Sequence, residues 1–158
     1  MEEVGRTSQG FTLVEMLIVV AIIATLAVTI FVAVHPGQRV KDDADVRRHV
    51  DVESILTAIH QYEVDNSGNL PAGLTTGMVQ KQLGTATTGC AIATGGCAVA
   101  ENTECVDLST PLAKYLQSIP VDPSGTDALT KYSVVVDSNN IVTVQACAAN
   151  TGTISQSR

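Results

Sequence analysis

The sequence has 158 residues, with 9 Lys and Arg against 16 Asp and Glu, which gives a formal net charge of −7 at pH 7. Aromatic residues make up 3% of the chain, and Trp is absent. Modules that bind nucleic acid present basic patches or aromatic stacking surfaces, so this composition argues against nucleic acid as a partner. The length predicts one domain.

A long apolar segment from Phe11 to Val34 contains a single ionisable residue, Glu15. As a helix rising about 1.5 Å per residue it would reach roughly 35 Å, enough to cross a bilayer core of about 30 Å. The segment is longer than the apolar core of a secretory signal peptide, which has about 7–15 residues. It therefore predicts a membrane-spanning helix, and an ordinary signal anchor is the simplest alternative.

The residues at the start of this segment carry a family resemblance. Gly10 is followed by Phe11-Thr12-Leu13-Val14-Glu15 and a long apolar run, which resembles the class III signal of type IV pilins and type II secretion pseudopilins. The resemblance implies that residues 1–10 are a leader peptide, that a prepilin peptidase cleaves between Gly10 and Phe11, and that Phe11 is then N-methylated. It further implies a homo-oligomeric helical filament, built at an inner-membrane pilus assembly platform from subunits that membrane lipid holds before assembly.

Glu15 is the residue of this segment that most needs a physical account. A carboxylate within a bilayer costs on the order of a few kcal/mol unless it has a partner. After cleavage the amine of Phe11 would lie one helical turn before Glu15, where the helix dipole also favours a carboxylate. The resemblance implies that Glu15 pairs with the Phe11 amine of a neighbouring subunit during assembly. The alternative is that Glu15 lies at the headgroup boundary of a plain membrane anchor.

The segment after the apolar run predicts a second, amphipathic half of one long helix. Residues 11–35 would form its transmembrane or filament-core half and residues 36–66 its amphipathic half. A kink is expected at His35-Pro36-Gly37, because Pro removes a backbone hydrogen bond; the alternative is that the helix stops there, at the membrane surface. The apolar stripe expected to face the core follows mostly three- and four-residue spacings. It consists of Val46, Val50, Val52, Ile55, Ile59 and Tyr62.

The resemblance implies that residues 67–158 form a globular pilin head with an αβ-loop region, and the residue pattern predicts a C-terminal β-hairpin within it. The hairpin combines the β-rich segments 131–136 and 141–147 with the turn residues between them. A short helix is expected over residues 75–83 and a mobile tail over residues 151–158. The expected fold class is α+β, in which a long N-terminal helix packs on a small antiparallel sheet, as in the pilin fold.

The segment Ile-Pro-Val-Asp-Pro-Ser-Gly at residues 119–125 carries a second, less specific resemblance. It is similar to an element of major pseudopilins and related pilins in which rigid prolines and a glycine form a fixed turn that leads into the sheet. The resemblance implies a structural role for this element and no catalytic one.

The four cysteines are expected to form disulfides. Cys90, Cys97, Cys105 and Cys147 lack the Cys-x2-Cys spacing of a zinc site, and a head outside the cytoplasm would meet oxidising conditions. Four cysteines allow three pairings, of which the expected one is Cys90–Cys97 with Cys105–Cys147. No metal ligand set and no cofactor are expected.

The sequence as a whole predicts a structural protein. No catalytic motif such as Gly-x-Ser-x-Gly is present, so an enzyme is not expected. The resemblance implies a type IV pilin, a precursor that spans the bacterial inner membrane once, with its C-terminal part outside the cytoplasm, and that later joins a cell-surface pilus. The alternative is a pseudopilin of a type II secretion system; the calcium-binding C-terminal loop of major pseudopilins is not recognisable here, which favours the pilin.

Overall fold

A computed structural model of the protein describes residues 10–100 and 104–158. Over these residues the chain forms helix α1 (Leu13–Val34), helix α2 (Pro36–Asp65) and four strands, β1 (Lys81–Gln82), β2 (Tyr132–Val136), β3 (Val142–Ala146) and β4 (Ile154–Ser157). The architecture is α+β, with a long N-terminal helical segment and a small antiparallel sheet, as the sequence predicts. Between Arg39 and Val40 the chain divides into two compact units, an N-terminal unit and a C-terminal unit.

The helical segment is interrupted once, at His35. This residue has a φ of 46° and a left-handed backbone, which ends α1, and α2 begins at the next residue with Pro36. Proline is well suited to a first helical position, where its missing N–H has no intrahelical partner to lose and its fixed φ is already helical. The structure thus has a local break in the predicted kink segment.

The sheet of the C-terminal unit has the order β1-β2-β3-β4, and every neighbouring pair is antiparallel. The predicted hairpin is confirmed as β2 and β3, in which Val134 lies opposite Val144. Asp137 organises the turn, because its carboxylate accepts hydrogen bonds from the backbone N–H groups of Asn139 and Ile141. A carboxylate that accepts two backbone bonds stabilises a tight turn without help from distant residues.

Two local predictions are wrong. Residues 75–83 form turns and the short strand β1, because Gly77 has a φ of 72° that interrupts a helix and Gln82 pairs with Ser133 of β2. The predicted mobile tail contains β4, whose Ile154 is 2% exposed in the core. That single buried side chain and the backbone pairing to β3 give the segment a fixed position.

The core of the C-terminal unit lies between one face of α2 and the sheet. Val52, Ile55 and Ile59 from α2 join apolar side chains of β2 and β3 in one buried cluster. The predicted apolar stripe of α2 is correct from Val52 onward. It is wrong before Val52, because Val46 and Val50 are 64% and 62% exposed.

The predicted disulfide pairing is also wrong, although all four cysteines are paired. The bonds are Cys90–Cys105, with a Cα–Cα distance of 5.4 Å, and Cys97–Cys147, with a Cα–Cα distance of 5.3 Å. The reason is that the segment around Cys97 folds onto the end of β3, where Thr94 Oγ1 donates to the carbonyl of Cys147 at 2.5 Å. This contact brings Cys97 to Cys147 and leaves Cys90 for Cys105.

Candidate functional site

Helix α1 has 22 residues, none of which is buried. At about 1.5 Å per residue it is roughly 33 Å long, and it lies within the one helical segment of the described residues that is long and apolar enough to cross a membrane. A helix that is apolar on every side requires lipid or other protein around it. Its surface is therefore suited to a bilayer or to contact with other apolar helices.

The few polar groups inside α1 have partners within the helix. Thr25 Oγ1 donates to the carbonyl of Ile22 at 2.8 Å, and Thr29 Oγ1 donates to the carbonyl of Thr25 at 2.8 Å. A hydroxyl that bonds to the preceding turn presents little unsatisfied polarity to hydrocarbon. Glu15 remains as the only ionisable side chain of the helix.

Glu15 takes part in a capping box at the start of α1. The N–H of Glu15 donates to Thr12 Oγ1 at 3.3 Å, and Glu15 Oε2 accepts from the N–H of Thr12 at 3.4 Å. Thr12 is the N-cap residue and has an extended backbone, with φ −85° and ψ 150°. The box fixes the first helical residue at Leu13 and holds the carboxylate on the leader side of the helix.

The predicted cleavage residues lie before this box. Gly10 and Phe11 are outside the helix and exposed, and Phe11 retains 75% of its accessible surface. A Cβ placed on Gly10 would meet no atom of the protein within 4 Å. The described part of the chain therefore does not itself require glycine at position 10, so a requirement for it would come from an enzyme that binds this peptide.

A second constellation, made of residues outside the predicted site, lies in the C-terminal unit. Arg48 of α2 is 4% exposed, and its guanidinium binds two carboxylates. Its Nε donates to Asp122 Oδ2 at 2.5 Å, and its Nη1 donates to Asp45 Oδ1 at 2.7 Å. The bonds to Asp122 are the main cause that raises the pKa of Arg48 above its usual value, against the effect of burial.

Asp45 joins α2 to the segment that follows β3. Its carboxylate accepts from the N–H of Asn150 at 3.0 Å, from the N–H of Thr151 at 2.9 Å and from Thr151 Oγ1 at 2.7 Å. Burial alone would raise the pKa of Asp45, but these hydrogen bonds and Arg48 outweigh it and hold the pKa well below its usual range. This contact orders the chain just before β4, which is a further reason why the expected tail is fixed.

Asp122 comes from the Pro-x-Asp-Pro-x-Gly segment and gives that element its physical role. It is 2% exposed, and its Oδ1 accepts from the N–H and the hydroxyl of Ser124 at 2.8 and 2.6 Å. Burial would raise its pKa, whereas the bonds from Arg48 and Ser124 lower it overall. Gly125 is needed beside it, since a Cβ there would lie 2.8 Å from the carbonyl oxygen of Thr130.

A signal for this cluster was present in the helical spacing. Asp45 and Arg48 lie at the same three- and four-residue spacings that lead on to Val52, Ile55 and Ile59, so they continue the buried face by one more turn. Charged residues at core positions of an otherwise apolar face indicate a paired polar cluster, because an unpaired buried charge is too costly. Within residues 10–100 and 104–158, no group of three His, Cys, Asp or Glu side chains is placed to hold a metal ion.

Comparison with known families places the N-terminal geometry in context. The family described as the prokaryotic N-terminal methylation motif matches residues 5–31, a range that includes Gly10, Phe11, Glu15 and most of α1. Searches of curated proteins and of solved structures give no match. Residues 5–31 thus carry the class III signal of type IV pilins and pseudopilins, which supports a pilin-like or pseudopilin precursor.

Proposed function

We propose that this protein is a pilin, a structural subunit that polymerises into a type IV pilus at the cell surface. The observation that carries the proposal is helix α1, which has no buried residue and one carboxylate in its first turn, preceded by Gly10 and Phe11 within the methylation motif. In this scheme a prepilin peptidase hydrolyses the Gly10–Phe11 bond, and the freed amine of Phe11 is methylated. No catalytic role for the chain itself is proposed.

Assembly would exchange lipid around α1 for the α1 helices of neighbouring subunits. Glu15 would favour the assembled state over the state surrounded by lipid. A carboxylate in hydrocarbon costs on the order of a few kcal/mol, and a nearby cation relieves that cost. The Phe11 amine of the neighbouring subunit is the cation that cleavage creates. A pair between Glu15 and that amine forms only at one offset between subunits, so it would set the register of the filament.

The C-terminal unit is suited to exposure outside the cytoplasm. Both of its disulfides require an oxidising compartment, and Cys97–Cys147 binds the loop before residue 100 to the end of β3. A surface filament needs subunits that stay folded without chaperones, and paired cysteines with a satisfied polar core meet that need. We therefore place the C-terminal unit on the outer surface of the filament.

A pseudopilin of a type II secretion system is the second candidate. It is favoured by the Pro-x-Asp-Pro-x-Gly segment at residues 120–125, which resembles an element of major pseudopilins, and by the structural work that Asp122 does there. Such a subunit would build a short periplasmic filament rather than a surface pilus. The two candidates share the cleavage, methylation and disulfides, and they differ in where the filament ends.

The experiment that tests the proposal is an intact-mass measurement, without reduction, on filaments sheared from the cell surface. We expect the mass of residues 11–158 with one methyl group added in place of a hydrogen and four hydrogens lost to two disulfides. Mature protein that stays in the membrane fraction would favour the pseudopilin. A full-length chain in the membrane would contradict both and leave a plain signal anchor.

Variants at Gly10 supply the matched control for processing. Since the surroundings of Gly10 are open, Gly10→Leu should leave the folding of the C-terminal unit unchanged while it blocks cleavage, and Gly10→Ala should be partly tolerated. The measurement is the ratio of precursor to mature mass in membranes, with the loss of four hydrogens as the check on folding. Efficient maturation of Gly10→Leu would contradict processing at this bond.

A further inference from the structure

The start of α1 lies immediately after the proposed cleavage bond, and Thr12 determines that start. Thr12 Oγ1 accepts from the N–H of Glu15 at 3.3 Å, and the Thr12 backbone is extended. Gly10 and Phe11, which flank the bond, are exposed and non-helical. Proteases act on exposed, non-helical segments, because a peptide bond inside a helix has its backbone groups engaged and its faces covered.

A helix that began after Thr12 would also leave the Gly10–Phe11 bond free, but the sequence has no other cap residue close to Thr12 on its C-terminal side. Ser, Thr, Asp, Asn and Gly are the residue types that cap helices well. After Thr12 the next residue of these types is Thr25, deep in α1, whereas on the leader side the nearest is Gly10, two residues before Thr12. Without the Thr12 cap, the start of the helix would therefore move toward Gly10 and take Phe11 into the first turn.

We propose that Thr12 is a positioning residue for prepilin processing, which acts by keeping the Gly10–Phe11 bond outside the helix. The inference rests on the proposed function, since it assumes that a prepilin peptidase cuts this bond. Thr12 does not take part in the hydrolysis. It sets the fraction of precursor molecules in which the peptidase can bind the bond in extended form.

This role predicts a particular kinetic signature. The peptidase can bind only the fraction of precursor molecules in which the bond is extended. Its apparent affinity for the precursor falls in proportion to that fraction. Removal of the cap should therefore raise KM by about fivefold, the equivalent of the about 1 kcal/mol that an N-cap residue contributes, and leave kcat unchanged. A side chain that instead contacts the peptidase in the transition state would change kcat.

The test compares full-length precursors in detergent with a purified prepilin peptidase and follows the mature chain by mass. Thr12→Val keeps the shape and removes the hydroxyl; it should raise KM. Thr12→Ser keeps a hydroxyl as the capping group, and Thr12→Asn replaces it with an amide oxygen. Both variants should be cut like the wild type. Thr25→Val removes a hydroxyl whose bond is to the carbonyl of Ile22 within α1, and it should be cut at the wild-type rate.

The outcomes separate this inference from the proposed function. If the wild-type precursor is not cut, the proposed function fails. If the wild type is cut and Thr12→Val has the same KM, or if Thr12→Asn is as poor as Thr12→Val, the positioning role is overturned while the proposed function stands. The loss of four hydrogens in the unreduced mass of every variant verifies that the C-terminal unit is folded.

Discussion

Helix α1 and the C-terminal unit differ in which side chains are buried and in how far away along the sequence their carboxylates find partners. In α1 no residue is buried, and the one carboxylate is bonded to Thr12, three residues before it. In the C-terminal unit the carboxylates of Asp45 and Asp122 are buried around Arg48 and are bonded to segments distant in sequence. Among the described residues no buried side-chain nitrogen or oxygen lacks a partner.

The difference separates what assembly depends on from what folding depends on. The interactions that α1 needs must come from outside the subunit; in the proposed function they come first from lipid and then from neighbouring helices. The C-terminal unit contains its own core, its own ion pairs and both disulfides. Changes in α1 should therefore alter processing or assembly at constant stability, whereas changes in the polar core should alter stability.

The largest expected effect is the loss of filaments on substitution of Glu15. Glu15→Ala removes the carboxylate that would pair with a neighbouring Phe11 amine, so the protein should insert in the membrane and yield no filaments. Glu15→Gln keeps a hydrogen-bond acceptor for Thr12 but no charge, and it should fail in the same way. The measurement is the amount of sheared filament relative to membrane-inserted protein; normal filaments from Glu15→Ala would contradict the register role.

The second effect concerns stability and tests the polar core. Arg48→Met leaves Asp45 and Asp122 buried without their cation, which typically costs roughly 3–5 kcal/mol. Arg47→Met is the matched control, because Arg47 is 61% exposed and its 3.7 Å pair with Asp51 should contribute less than about 1 kcal/mol. The free energy of unfolding would be measured by urea titration of the detergent-solubilised chain, followed by tyrosine circular dichroism. Equal losses in the two variants would show that the buried cluster is not a special source of stability.

The third effect ranks the two disulfides. Removal of Cys97–Cys147, which joins residues 50 apart, should cost about 4 kcal/mol on loop-entropy grounds. Removal of Cys90–Cys105, with a separation of 15, should cost about 3 kcal/mol. The paired Cys→Ser double variants would be compared in the same urea titration. A mass that shows Cys90–Cys97 in the wild type would contradict the connectivity itself.

What could be predicted from the sequence is what short segments determine by themselves. The apolar run that forms α1 and the β2–β3 hairpin each follow from residues close together in the chain. The hairpin, for example, depends on alternating apolar residues and on Asp137, whose partners are at most four residues away.

What could not be predicted depends on contacts between distant segments. Arg48 meets Asp122 across 74 residues, and Asp45 meets Thr151 across 106. The predicted stripe of α2 includes Val46 and Val50, whereas Asp45 and Arg48 take the buried face. Their distant partners Thr151 and Asp122 stabilise the two buried charges there. The Asp45–Thr151 contact helps to fix β4, and a different long-range contact, from Thr94 to Cys147, brings Cys97 to Cys147. The errors in the tail and in the disulfide pairing therefore both come from contacts between segments far apart in the sequence.

The smallest expected effect is the response of the C-terminal unit to acid. Asp45 and Asp122 have pKa values in the folded protein below the 3.8 that is usual for aspartate. Their contribution to stability is therefore fully present well above pH 3.8 and is lost as the pH falls through that value toward the lower folded pKa values. The wild type should unfold at a lower urea concentration at pH 3 than at pH 6. Arg48→Met should show a smaller drop, because without the guanidinium the two carboxylates lose much of their preference for the charged form. An equal drop in the two proteins would assign acid sensitivity to other carboxylates and remove the link between Arg48 and the pH response.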